Sequence, residues 1–184
     1  MTVQLMKKQP EGIVFDSVLE RMQGEYALHI VLVSREVASP LGLTGNSRRV
    51  VCTLNDSDPF QCALFPIKAG GYFLTVSKKL RDRVGIKEGD KVRVSLAKDT
   101  SKYGLPMPKE LLEVMRQDPD GSKLFHSLTP GNQRLSIRLI NMTNEIDTRI
   151  YRSLMLIEYL KHTEGKFVYN EVNNALKRSV QNFD

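Results

Sequence analysis

Any chemistry in this chain would have to start from few residues. His29, His126 and His162 are its only imidazoles, and Cys52 and Cys62 its only thiols, among 184 residues. The cysteines are not spaced as CxxC, and no HExxH, GxSxG, phosphate-loop or dinucleotide fingerprint occurs. The spacings that build metal centres, nucleophile elbows and phosphate cradles are therefore missing. Gly70-Gly71 could let a phosphate approach the backbone, but the pair leads into a strand pattern and not a helix, which reads as a turn or bulge. Ser34 and Ser77 each stand where an apolar run meets a short helical pattern, the place of a helix cap rather than a nucleophile. Asp147-Thr148-Arg149 could orient a ligand, yet an Asp matched to the helix dipole and a solvated Arg explain it more simply. No catalytic, metal-binding or cofactor-binding residue is expected.

Charge says more. The chain has 27 basic and 21 acidic side chains, a net charge of +6. Residues 77–102 hold nine of the basic groups and only four acidic ones, so the excess is local. Lys78, Lys79, Arg81 and Arg83 crowd one short helical pattern, and Lys87, Lys91 and Arg93 follow it. These seven are the candidate contacts to an anionic partner, nucleic acid being the sharpest case because basic clusters neutralise phosphates. With no Trp in the chain and no aromatics interleaved with these cations, a stacking platform for single strands is not expected.

The elements that would carry this face are duplicated. An apolar strand, a Ser, a short helix and a Gly recur 43 residues apart: Ser34 and Gly42 in one copy, Ser77 and Gly85 in the other. A second glycine follows (Gly45, Gly89), then an alternating run, Val50, Cys52, Leu54 against Val92, Val94, Leu96. Two such units related by a pseudo-twofold predict a small closed or split barrel. The run 26–33 predicts a strand buried on both sides, and residues 15–19 a weaker first strand. Between the copies, strands 48–54 and 60–66 flank Asn55-Asp56-Ser57-Asp58-Pro59, a hairpin turn. A turn centred on Ser57 would set Cys52 opposite Cys62, as two small buried hydrophobes.

Beyond Leu96 the pattern changes. Residues 98–107 read as a linker rich in polar residues and breakers. Helices are then expected from Pro108, with Leu111, Leu112 and Met115 on one face, and from Pro119, carrying Leu124 and Phe125. A third follows the Thr129-Pro130 cap, with Leu135, Leu139 and Met142. A fourth starts at Asn144-Glu145, its buried stripe predicted as Ile146, Ile150, Leu154 and Ile157. Val168, Val172, Leu176 and Val180 outline a last, weaker helix.

Two families come into view on these residues. Gly70-Gly71-Tyr72-Phe73-Leu74, Ser77-Lys78-Lys79-Leu80 and Gly85-Ile86-Lys87-Glu88-Gly89-Asp90-Lys91-Val92 resemble a bacterial family named as a domain of unknown function. Leu128-Thr129-Pro130-Gly131-Asn132-Gln133-Arg134 and Asp147-Thr148-Arg149-Ile150 resemble the YdeI/OmpD-associated family, labelled for bacteriocin protection. Where that family commonly has Trp-Ile and Ala-Lys pairs, this chain has Leu139-Ile140 and Met142-Thr143. The resemblance implies a split barrel followed by a helical bundle, and a protective phenotype without a stated chemistry. The barrel unit also looks like the swapped-hairpin barrels of AbrB and MazE-type regulators.

The expected fold is therefore α+β: a split β-barrel built from a pseudo-duplicated strand–helix–strand unit over 1–97, a linker over 98–107, a helical domain over 108–166 and a helical extension over 167–184. No apolar run approaches the roughly 20 residues of a membrane span, and the first ten residues lack the apolar segment of a signal peptide. The expected setting is the reducing cytoplasm. The expected function is that of a non-catalytic binding or stress-tolerance protein. The alternatives are nucleic-acid binding on the basic face and a small-molecule enzyme with its site at the barrel–bundle junction. The expected partners are an anionic molecule and, in a homodimer, a second copy.

Overall fold

The computed structural model describes residues 12–23, 27–44 and 48–177. The chain divides into two compact units between Thr100 and Ser101. The first is all antiparallel sheet with two short helices, the second all helix, and the whole is α+β.

The sheet unit runs β1 (Ile13–Met22), β2 (Leu28–Val33), α1 (Arg35–Ala38), β3 (Arg49–Leu54), β4 (Phe60–Ala63), β5 (Phe65–Pro66), β6 (Tyr72–Thr75), α2 (Lys78–Val84) and β7 (Lys91–Lys98). The strand order is β4-β3-β7-β1-β2-β6-β5. Its two outermost members, β4 and β5, are consecutive in the chain and separated only by Leu64. The sheet is thus nearly closed into a barrel, with one bent segment supplying both ends, and edge exposure is reduced.

The duplication extends further than the strand–Ser–helix–Gly unit. β1 pairs with β7 over Ile13 to Val18 and with β2 from Leu19 onward. β4 pairs with β3, and β5 with β6. Leu19 and Leu64 are therefore equivalent knees, where a strand leaves one neighbour for another. Each knee's N–H donates, at 2.9 Å, to the carbonyl just before the strand it leaves: Leu19 to Asp90, Leu64 to Arg48. Both side chains are buried, at 0 and 1% exposure. Between them Val31, Val33, Val50, Cys52, Leu54, Leu74, Val92, Val94 and Leu96 fill the barrel.

The predicted caps form. The Ser34 and Ser77 hydroxyls accept from the N–H groups of Val37 and Leu80. Gly42, after a 3-10 turn, and Gly85 take the left-handed conformation that ends each helical segment. Gly71, with φ +83°, makes the turn into β6. A Cβ there would lie 2.9 Å from the Val33 carbonyl, so the backbone approach requires glycine. Gly45 lies outside the described residues.

Three strand expectations are corrected. The run 26–33 is buried on both sides only at Ile30 and Val31: β2 starts at Leu28, and Leu28 and Leu32, on the face of Ile30, are exposed while Val31 and Val33 point inward. Tyr26 lies outside the described residues. The single strand 60–66 is broken by the knee at Leu64. In the β3–β4 hairpin Cys52 faces Phe60, and Val50 faces Cys62. The turn centres one residue earlier than Ser57 because Asn55, at φ 49°, is fastened to β7. Its N–H donates to the Arg93 carbonyl (2.8 Å), and its Oδ1 accepts from the Arg93 N–H (2.9 Å).

The helical unit comprises α3 (Lys109–Gln117), α4 (Pro119–Ser127), α5 (Pro130–Ile140), α6 (Ile146–His162) and α7 (Tyr169–Lys177). Pro108 caps α3 rather than opening it. Asp118 and Thr129 cap α4 and α5 through their side chains, each with Pro at the first position. A Cβ at Gly121 would collide with Ile157, so α4 and α6 approach closely there. Tyr103, Leu105 and Met107 pack against the core of this unit, as do Val172 and Leu176 of α7. Val168 is exposed ahead of α7, and Val180 lies outside the described residues.

The predicted α6 stripe is also corrected. Ile157 is buried, but Ile146, Ile150 and Leu154 are exposed, as is Met142 before the helix. The face turned inward carries Ser153, Leu156, Ile157 and Leu160. Two polar contacts accompany this rotation. Arg149 pairs with Glu110 of α3 at 2.8 Å, and Arg152 donates to the Leu139 carbonyl of α5, also at 2.8 Å. The Ser153 hydroxyl is satisfied within the helix by the Arg149 carbonyl.

Leu19→Ala and Leu64→Ala should each lower the unfolding free energy by about 2–5 kcal/mol in urea denaturation, and by similar amounts. Leu32→Ala, on the outer face of β2, should cost well under half as much.

Candidate functional site

The seven predicted cations fall on α2, on the turn after it, and on β7. The Ser77 cap fixes the start of α2, and Leu80 packs its inner side against the barrel core. Lys78 is engaged by Asp82 at 2.8 Å in an exposed i,i+4 pair, a contact worth little in stability but enough to occupy the ammonium. Arg81 is half-buried. Lys79 and Arg83, four residues apart on one turn-to-turn row, are both exposed. Lys87 sits in the turn 86–90, where its backbone N–H donates to the Asp90 carboxylate at 2.8 Å. Along β7 the pleat alternates, so Lys91 and Arg93 point outward while Val92 and Val94 enter the core.

Three of the seven converge. A cleft of about 540 Å³ on the outer face of β1 and β7 is lined by Asp16, Ser17, Val18, Asn55, Lys91 and Arg93. A neighbouring one of about 490 Å³ is lined by Asn55, Asp56, Ser57, Asp58 and Arg83. Asn55 belongs to both, held by its two hydrogen bonds to the Arg93 backbone. It is the organising residue that the charge count missed. The available signal was its place in a turn cluster, since Asn tolerates the left-handed conformation better than most residues. Lys78, Lys79, Arg81 and Lys87 line neither cleft. Carboxylates interleave with the cations: Asp16 is the cross-strand partner of Arg93, and Asp56 and Asp58 share the cleft with Arg83. The arrangement can hold a small number of anionic groups beside hydrogen-bonding Asn and Ser side chains. It is not a uniformly positive sheet.

The remaining candidates are structural in geometry. Among the described residues no group of three His, Cys, Asp or Glu could hold a metal ion. His126 Nδ1 donates to the Ser122 carbonyl at 2.7 Å, which leaves Nε2 to accept from the Tyr103 hydroxyl at 2.9 Å. The Asp118 carboxyl is held below the usual carboxylate range, first by the Gly121 N–H it accepts from and then by Lys161 at 3.1 Å. Cys52 and Cys62 are free thiols. Contact with Cys62 and burial push the Cys52 thiol up, away from the reactive thiolate.

Sequence comparison now adds two matches. Residues 15–96 match the family model described as a domain of unknown function, DUF1905. Residues 105–162 match the model described as bacteriocin-protection, YdeI or OmpD-associated. The chain thus matches a domain of unknown function followed by a YdeI-like region. No curated protein matches it by sequence. The converging cations belong to the first match, since Arg83, Lys91 and Arg93 all lie within its span. The YdeI-like region contains the Glu110–Arg149 pair and ends with α6, so α7 lies beyond its matched span. Among the described residues no helix is long and apolar enough to cross a membrane.

Iodoacetamide near neutral pH should leave Cys52 unmodified in the folded chain and alkylate it fully in urea. Peptide mass spectrometry reads both outcomes. Rapid labelling of native Cys52 would contradict a buried, protonated thiol.

Proposed function

We propose that this is a non-catalytic binding protein acting in stress or antimicrobial tolerance, and that its barrel engages an anionic partner around Asn55. The convergence of Arg83, Lys91 and Arg93 on the two clefts that share Asn55 carries the reading. The family description of the YdeI-like region supports the tolerance role. Isolated surface cations are ordinary, but cations gathered around a backbone-anchored amide offer both charge and directed hydrogen bonds. Expression in a bacteriocin-sensitive bacterium should raise survival, and Arg83→Glu with Arg93→Glu should remove the gain while leaving the thermal midpoint unchanged. Equal protection by that variant would contradict the assignment of the face.

Nucleic acid is the second reading, favoured by Lys79 and Arg83 lying on one exposed row of α2, with Lys91 and Arg93 on the adjacent strand. Phosphate contacts of this kind release counterions, so affinity falls steeply with salt. Fluorescence anisotropy with a short DNA duplex and an RNA of equal length tests it. Binding at low ionic strength should weaken as salt rises, and each charge removed from Lys79, Arg83, Lys91 or Arg93 should lower the log–log salt slope by about 1. No binding at the lowest salt would overturn this second reading.

A further inference from the structure

The β3–β4 register leaves the chain's two thiols in contact. Cys52 faces Phe60 and Val50 faces Cys62, so Cys52 and Cys62 are diagonal neighbours on the ladder. Cys52 lies on the inward face of β3 and is 0% exposed. Cys62 is half-buried and packs against the same core. Its sulfur is a hydrogen-bonding partner of the Cys52 thiol, which helps to keep the proton on Cys52. Diagonal Cα atoms on a ladder stand about 7–8 Å apart, their Cβ atoms somewhat closer, whereas a disulfide spans about 4.4–6.8 Å between Cα atoms. Strand twist narrows such a gap. β4 can yield the rest, because it stands at one end of the strand order with β3 as its ladder partner. The same position sets Cys62 beside the seam of the barrel, where a small solute can reach its sulfur.

We propose that Cys52 and Cys62 form a hydroperoxide-sensitive dithiol, in which Cys62 meets the oxidant and Cys52 is the resolving thiol. This goes beyond anion binding and does not rest on it. In the first step the Cys62 thiolate attacks a peroxide oxygen. An S–O bond forms, the O–O bond breaks, and the departing hydroxide takes up the proton that Cys62 had released. Cys62 is then a sulfenic acid, and one water has formed. In the second step the Cys52 sulfur attacks the Cys62 sulfur. An S–S bond forms, the S–O bond breaks, and the hydroxyl leaves as water with the Cys52 proton. Two thiols are oxidised and one hydroperoxide is reduced. A protonated thiol is a weak nucleophile, but one held in contact with its target acts at a high effective concentration. The order of the two sulfurs follows from burial, since the oxidant cannot reach Cys52 first. In a reducing compartment such a disulfide is transient, which suits a sensor.

The test is hydrogen peroxide in small excess over the full chain, then N-ethylmaleimide and peptide mass spectrometry. The expected product is a single chain lighter by two hydrogens, with the Cys52 and Cys62 peptides joined. Dithiothreitol should return both free thiols. Cys52→Ala removes the resolving thiol, so Cys62 should accumulate as a sulfenic acid trapped by dimedone and pass on to the sulfinic acid. Cys62→Ala should leave Cys52 a free thiol at the same dose. Two free thiols in the unaltered chain after peroxide overturn the proposal. So do sulfinic acid on its Cys62 without a disulfide, or disulfides only between chains. These outcomes need no variant, so they decide the matter even where a substitution in the core prevents folding.

Discussion

The barrel rests on two knees. At Leu19 the first strand passes from β7 to β2, and at Leu64 the chain passes from β3 to β6. A sheet of this order closes only if some strand belongs to both ends, and the bent segment 60–66 is that strand. Each knee anchors its backbone to the residue just before a neighbouring strand and buries a leucine in the common core. Burying a leucine side chain contributes about 1.5–3 kcal/mol. The knees also place α1 and α2 at symmetry-related positions, with each Ser cap following the strand that the knee releases its neighbour toward.

The candidate face inherits its geometry from this closure. β7 lies between β1 and β3, so its outward side chains, Lys91 and Arg93, stand over a surface bounded by both neighbours. The β3–β4 turn is pinned to β7 by Asn55, and this brings Asp56 and Asp58 within reach of the cleft that Arg83 lines. Affinity for anions is thereby localised and tempered: three cations converge while three carboxylates border them. A partner with a few well-placed anionic groups suits that pattern better than an extended polyanion track.

Much of this was legible in the residues. Ser and Gly at a constant offset predicted the caps and helix ends because their roles are local, decided by backbone hydrogen bonding and positive φ. The alternating runs at Val50 and Val92 predicted inward faces for the same reason. The knees were not legible, since Leu64 sits in an unbroken apolar strand pattern and only the circuit of the whole sheet shows that its pairing must change. The Cys52–Cys62 pairing failed by two residues, and the turn centre by one, because a contact distant in sequence, Asn55 with Arg93, decides the turn centre. On α6 the apolar spacing suggested one buried stripe, but the helix turns inward a second row, Leu156, Ile157 and Leu160, with Arg149 and Arg152 tied to two other helices. At the candidate face, charge identified Arg83, Lys91 and Arg93 but could not separate them from Lys78, whose ammonium is taken by Asp82.

The central claim is that the seven strands form one nearly closed, cooperative sheet held by equivalent knees. Native-state hydrogen exchange followed by NMR, with denaturant added below the unfolding transition, tests it most directly. The Leu19 and Leu64 amides should exchange only through global unfolding, with the same opening free energy as the β3–β7 ladder. Exchange of Leu64 and the β5–β6 amides through a separate, lower-energy opening would contradict closure and make the β5 end a detachable edge.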